Sequence, residues 1–251
     1  MSNTVLSNTK DNVRTITLNR PLRLNAMNSQ MLSELCLALD EANADHNIGA
    51  IVLRGAGRSF CSGDDLKDFD SQARSEQDAL AFIESIQDVT RRIVLGETTV
   101  IGAIHGWAVG GGLEWAINCD LAVFADTTRC FFPELKWGMF PTGGVTYLLP
   151  KTIGLVKTRE LMLLGEVFDA GEALKMGLAW KVVPEDSVYD IAHQAAQRIA
   201  ALPRNAVTDL KKVLNQVNAD ALELAIKLET EATVRGFLDP ETHNRLREFI
   251  D

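Results

Sequence analysis

Residues 101–120, I-G-A-I-H-G-W-A-V-G-G-G-L-E-W-A-I-N-C-D, carry three consecutive glycines, Gly110, Gly111 and Gly112, and, two residues further on, an acid, Glu114. Three glycines cost chain entropy and contribute no side-chain packing, so they belong where something must approach the backbone itself. A strand that enters a glycine turn and then starts a helix leaves unpaired N–H groups pointing outward. Such groups bind a phosphate, or the oxyanion of an activated carbonyl. The plainer alternative is a tight turn with close helix packing. A second loop has the same design: the apolar run Ile51, Val52, Leu53 leads toward Gly63. Side by side, the two loops could aim one N–H each at a single oxygen. A second acid, Glu134, follows Pro133 inside F-F-P-E-L, 20 residues after Glu114. Carboxylates in apolar surroundings are costly unless paired or protonated. Taken singly, Glu114 reads equally well as an acid placed on a helix dipole and Glu134 as a capping acid. Together with the two glycine loops, the pair points to acid–base chemistry beside an oxyanion site.

The elements that must position these residues alternate between strand and helix. Residues 13–18, V-R-T-I-T-L, are a strand, with Asn12 suited to a hairpin turn before it. Asn28 or Ser29 caps a helix running to about Ala44, with Met31, Leu32, Leu35, Ala38, Leu39 and Ala42 as its apolar stripe. Residues 48–53 are a buried strand, 64–76 a polar and mobile loop, and 78–95 a helix. A strand over 98–104 feeds the triple glycine. Short strands follow at 121–125, 127–132 and 179–183, with helices at 156–164 and 170–176 closed by Gly165 and Gly177. From Asp186 the strand signal disappears and helices run over 186–202, 205–215 and 220–236. The expectation is an α/β core over 1–185 and a helical region over 186–251.

Composition bounds the function. The 251 residues suffice for one large domain or a domain with an appendage. A net charge of −9 argues against a nucleic-acid or anionic-membrane surface, which needs a basic face. The polar N-terminus shows neither a signal core nor a transit pattern, and no apolar run reaches membrane-spanning length. Cys36, Cys61, Cys119 and Cys130 form no C-x-x-C pair and no zinc spacing with the histidines, so no metal site and reduced thiols in a cytoplasmic protein are expected. Cys61, in a polar glycine loop, has the setting of an exposed thiol but no histidine or lysine beside it to make it a nucleophile.

Five collinear stretches resemble the enoyl-CoA hydratase/isomerase family, the crotonase superfamily: N-R-P-L-R-L-N-A-M (19–27), G-R-S-F-C-S-G-D-D-L (57–66), A-I-H-G-W-A-V-G-G-G-L-E (103–114), F-F-P-E-L-K-W-G (131–138) and D-A-G-E-A-L-K-M-G-L-A (169–179). The resemblance implies a spiral of strand–strand–helix (ββα) turns followed by a C-terminal helical trimerisation region, assembled as a homotrimer or a hexamer made of two trimers. It implies an acyl-CoA substrate of the fatty-acid type and no separate cofactor, coenzyme A being part of the substrate. The thioester oxygen would sit between the N–H groups of Asp64 and Gly111. Glu114 and Glu134 would be the catalytic pair of an enoyl-CoA hydratase, flanking one water. Arg58 and Arg23, with Ser62, Gly63, Asp65 and Leu66, would contact the CoA moiety; Arg54 is a weaker candidate. Related chemistries on the same site are double-bond isomerisation through one acid, other acyl-CoA reactions, and a silent CoA-binding assembly subunit. The chain departs from the family in three places. Asp64 replaces a small residue, and its carboxylate must point away if the neighbouring oxygen is to carry charge. The turn at 141–144 is shorter than usual. The tail from Phe237 lacks the usual basic-proline ending.

Overall fold

The computed structural model describes residues 3–69 and 73–250. Two sheets form its frame. The larger has the order β1-β2-β3-β4-β6-β9, from β1 (Val5–Lys10), β2 (Val13–Leu18), β3 (Ala50–Gly55), β4 (Thr99–Ile104), β6 (Leu121–Ala125) and β9 (Lys181–Val183). Its strands are parallel except for the β1–β2 hairpin, whose turn places Asp11 and Asn12 at positive φ. The smaller sheet joins β5 (Trp107–Val109), β7 (Arg129–Phe131) and β8 (Phe168–Asp169). Isolated bridges Cys61↔Ala108 and Met27↔Asp64 extend it. Each turn of the chain therefore gives one segment to each sheet: β3 then residues 61–64, β4 then β5, β6 then β7. This is the ββα spiral.

The helices are α1 (Ser29–Ala44), α2 (Glu76–Val94), α3 (Gly111–Asn118), α4 (Val145–Ile153), α5 (Leu155–Leu164), α6 (Ala170–Met176), α7 (Val188–Ala200), α8 (Arg204–Gln216), α9 (Ala219–Phe237) and α10 (Pro240–Ile250). Asn28 caps α1 by accepting from Met31 N, and the six apolar stripe residues of α1 are all buried. Ser75 caps α2 in the same way, starting it earlier than the hydrophobic period predicts. Asp169 and Glu172 close a capping box on α6. The main core fills the space between the sheets, α1, α2 and α3; a second lies between the outer face of the large sheet and α7.

Several expectations change. The run into the triple glycine is two strands in different sheets, because Gly106 at φ +59 breaks it. β1, β8, α4 and α10 carried no assignment. α4 contains Pro150, which reads as a stop. Cys61 is fully buried, its thiol facing the Asn25 carbonyl at 3.1 Å and pushed up to about 12 by burial. The loop over 64–76 is ordered at its start: Asp65 pairs with Arg20 at 2.7 Å. Residues 70–72 lie outside the described residues. No helix is long and apolar enough to cross a membrane among the described residues.

Candidate active site

The two glycine loops meet. Cys61 N–H donates to Trp107 O (3.1 Å) and Val109 N–H to Cys61 O (3.0 Å), so the 61–64 segment runs alongside β5. On its other side Met27 N–H donates to Gly63 O (2.8 Å) and Asp65 N–H to Met27 O (2.9 Å). This ladder uses the Gly63 carbonyl and the Asp65 N–H, and because the Gly63–Asp64 peptide is trans, the Asp64 N–H points away from Met27. Gly111 opens α3, where the N–H has no acceptor one turn back. Among the described residues neither the Asp64 nor the Gly111 N–H donates to a partner within the protein. The two loops are in contact here: a β-carbon on Gly63 would stand 3.7 Å from Gly111 N.

The cost of three glycines now has a cause at each position. A β-carbon on Gly110, which also has φ +51, would meet the Glu134 carboxyl; one on Gly111 would meet Met27 Cε; one on Gly112 would meet the Cys61 carbonyl. The loop is glycine because a side-chain carboxyl, a methionine and a neighbouring backbone all press against it.

Both glutamates are buried, Glu114 at 1% exposure and Glu134 at 6%. Glu114 projects from the first turn of α3 and accepts from Thr142 N (3.3 Å) and from Gly143 N. Glu134 begins a single 3-10 turn (Glu134–Trp137), with its Oε1 facing Gly110. Its Oε2 is buried with no partner in the protein. An unpaired buried carboxyl oxygen is costly unless a proton, a water or a ligand meets it. Burial pushes Glu134 up to about 8, with the charge of Asp64 adding to it. Burial also holds Glu114 well above the ordinary carboxylate range, aided by the charges of Glu134, Glu229 and Asp64 and opposed by the Gly143 amide. The acids therefore titrate as a coupled group in which protons are shared.

A cleft of about 550 Å³ opens at Asp64; Gly111, Glu114 and Glu134 lie behind its wall rather than on it. Arg23, Ser62, Asp64, Asp65 and Leu66 line it, with Leu24, Ala26, Lys67, Trp107, Val109, Phe131 and Trp137. Gly63 supplies backbone between two lining residues. Arg58 is not part of this wall; it is exposed, and its carbonyl lies against Gly106. Arg54 is elsewhere too, with its guanidinium 4.6 Å over the Tyr189 ring. Asp65 lies on the wall but is already paired with Arg20. The Asp64 carboxyl does not turn away: its Oδ1 is 3.8 Å from where a β-carbon on Gly111 would stand. Burial pushes it up to about 6.

Three features escaped the sequence reading. Trp107 and Lys67, both on the cleft wall, carried no site assignment. Glu229 of α9 is 1% exposed and packs at the turn that holds Glu114. A signal for it existed: Leu222, Ile226, Thr233 and Phe237 recur at helical spacing, and Glu229 falls on the same stripe.

Comparison with known proteins adds to this geometry. A family profile described as "Enoyl-CoA hydratase/isomerase" matches residues 8–248. A "Probable enoyl-CoA hydratase echA8" of Mycobacterium bovis is 32% identical over 248 residues, 99% of this chain and 95% of that protein. A "1,2-epoxyphenylacetyl-CoA isomerase" of Escherichia coli is 31% identical over 229 residues, 90% of this chain and 87% of that one. A crystal structure of an enoyl-CoA hydratase/isomerase from Xanthobacter autotrophicus Py2 superposes with a TM-score of 0.89 at 30% identity, covering 98% of this chain and 96% of that chain.

Proposed function

We propose, from the premise that this chain belongs to the enoyl-CoA hydratase/isomerase family, that it is an enoyl-CoA hydratase adding water reversibly to a 2-trans-enoyl-CoA. What carries the reading is one arrangement: two free amides from loops in contact, one of them on the wall of a cleft, with two buried carboxyls held beside the second loop. In this reading the thioester oxygen accepts from Asp64 N–H and Gly111 N–H. As water adds to the β-carbon, charge develops on that oxygen. One preorganised donor there is worth about 2.7–4 kcal/mol.

The hydrogen bonds divide the labour of the acids. Burial holds Glu114 above the ordinary carboxylate range, but two backbone amides donate to it and work against that rise, and Glu134 Oε2 has no such donor. Glu134 has an unpartnered oxygen and is pushed up to about 8, which favours its proton. Glu114 then takes a proton from the water as the new C–O bond forms, and Glu134 gives one to the α-carbon. General acid–base work of this kind contributes about 10²–10⁴-fold. Arg23 and Lys67 at the cleft rim supply positive charge for the CoA phosphates, and Trp107 and Trp137 flank its course. No cofactor beyond the CoA of the substrate enters the proposal. A homotrimeric or hexameric assembly and a cytoplasmic setting belong to the same reading; four free cysteines support a reducing compartment.

A second reading is double-bond isomerisation of an enoyl-CoA, favoured by the family's description as hydratase/isomerase. It needs one acid to shuttle a proton and no water. Loss of the conjugated-enoyl absorbance of crotonyl-CoA separates the two. Hydration requires that loss, with a drop of about 10²-fold or more in Glu114→Gln and in Glu134→Gln. Turnover unchanged in either variant overturns the assignment. Gain of conjugation from a 3-enoyl-CoA, without hydration, selects the isomerase.

A further inference from the structure

Glu229 accepts three hydrogen bonds, from Gly144 N (2.8 Å), Thr146 N (2.9 Å) and Thr146 Oγ1 (2.6 Å). These donors belong to the turn that starts α4. The two amides just before them, Thr142 N and Gly143 N, face Glu114. One short segment is therefore held between two carboxyls. Gly144 adopts φ +76, which lets the amide direction change within the turn. α4 has no side-chain cap of its own, and Glu229, from another helix, takes that place.

We infer that Glu229 is a positioning residue for Glu114: it anchors residues 144–146 so that the amides at 142 and 143 stay aimed at the Glu114 carboxyl. The inference rests on the catalytic role proposed above for Glu114. Three further contacts give α9 the fixed register this requires. Gln87 Nε2 donates to Ile226 O (3.2 Å) and to Thr230 Oγ1 (2.7 Å), and Thr233 Oγ1 donates to Phe140 O (3.3 Å). A helix cap alone would explain the three bonds to Glu229. It would not explain why the capped segment also supplies both amide donors to Glu114, with the Glu229 charge adding to those of Glu134 and Asp64 around that carboxyl.

Glu229→Gln tests this. Glutamine offers one acceptor and one donor, so it cannot satisfy both Gly144 and Thr146, and it removes the charge. Loss of a neighbouring negative charge favours ionisation of Glu114. In Glu229→Gln that shift opposes the rise that loosened amides would cause, so the Glu114 titration midpoint, measured by carboxyl ¹³C NMR of glutamate-labelled free protein and assigned with Glu114→Gln, is read in Thr146→Ala, which keeps the Glu229 carboxylate, while turnover is read in Glu229→Gln. With crotonyl-CoA, kcat should fall roughly tenfold while KM stays within about twofold, the signature of an interaction made in the transition state. A folded Glu229→Gln protein with lower Tm but unchanged kcat overturns the inference and leaves a helix cap. The NMR titration decides the point even if the wild-type protein does not turn over crotonyl-CoA, so failure of the hydratase reading is seen separately. Thr146→Ala removes one donor and leaves the Glu229 charge: a Glu114 midpoint raised by weakened amide bonds supports the inference, and an unchanged or lowered one overturns it.

Discussion

Asp64 brings a third acid to an oxygen site, and its side chain and backbone act in opposite senses there. Its N–H helps an oxyanion; its carboxylate, once ionised, opposes one. The pKa of about 6 places that change within the working range. In Asp64→Ala the N–H survives and the carboxyl is lost. The variant-to-wild-type ratio of kcat/KM for crotonyl-CoA should rise as pH goes from 5 to 8, by roughly tenfold if the ionised carboxylate costs about 1.4 kcal/mol. A ratio independent of pH removes Asp64 from the electrostatics of the site.

Glu134 makes a stability prediction as well. Its folded pKa, about 8, is above the ordinary 4.5, so the folded state binds protons more tightly than the unfolded chain. That contribution is fully present below about pH 4.5 and is lost as pH rises through 8. Glu134→Gln should raise Tm more at pH 8 than at pH 5, each kcal/mol being worth about 2–4 °C in a chain of this size. Equal Tm changes at the two pH values contradict it. The burial of both glutamates was legible because an acid in an apolar run is conspicuous. The direction of the Asp64 carboxyl was not, because it is set by a side-chain rotation and by what the neighbouring loop leaves open.

At the scale of elements, the site stands where three loops cross: 61–64, 110–112 and 142–146. Gly143 is as confined as the triple glycine, since a β-carbon there would meet Glu114 Oε2. Gly143→Ala should therefore abolish turnover while leaving circular dichroism near that of wild type. Retained activity at more than about a tenth of wild type argues against the Glu114 assignment. The first two loops could be read in advance from glycine and strand pattern. The third could not, because its function comes from a helix far along the chain. α8 makes the same point. Lys211 would be taken for a surface residue, yet it is 6% exposed and its Nζ donates to Ile93 O (2.7 Å), Thr98 O (2.9 Å) and Asp120 Oδ2 (2.7 Å). Lys211→Met leaves two carbonyls and a carboxylate short of a donor. It should cost about 3 kcal/mol, the low end for a broken buried pair because Asp120 is partly open to water. Denaturant unfolding measures this, and restoration in Lys211→Met/Asp120→Asn would assign the loss to the pair.

For the whole molecule, the spiral was predicted in class and in most elements, since each ββα turn buries its own periodic stripe. The change to helix after β9 was also legible. What the helical region does was less so. α7 covers the outer face of the large sheet, and α9 reaches the turn beneath Glu114. Outward, Leu210, Val213, Leu214 and Val217 are more than half exposed. An apolar face of that kind fits the proposed assembly. Sedimentation should give three or six chains per particle, and Val217→Glu with Leu214→Glu should shift it toward one. A wild-type monomer at high concentration rules out the oligomer.

The anchoring of α4 by residue 229 also orders events during synthesis. A nascent polypeptide leaving the ribosome has every strand of both sheets, and both acids of the pair, before α9 emerges. Until then the amides meant for Glu114 have no fixed direction. If the anchoring holds, acyl-CoA chemistry waits on a segment translated after all the strands that frame the site.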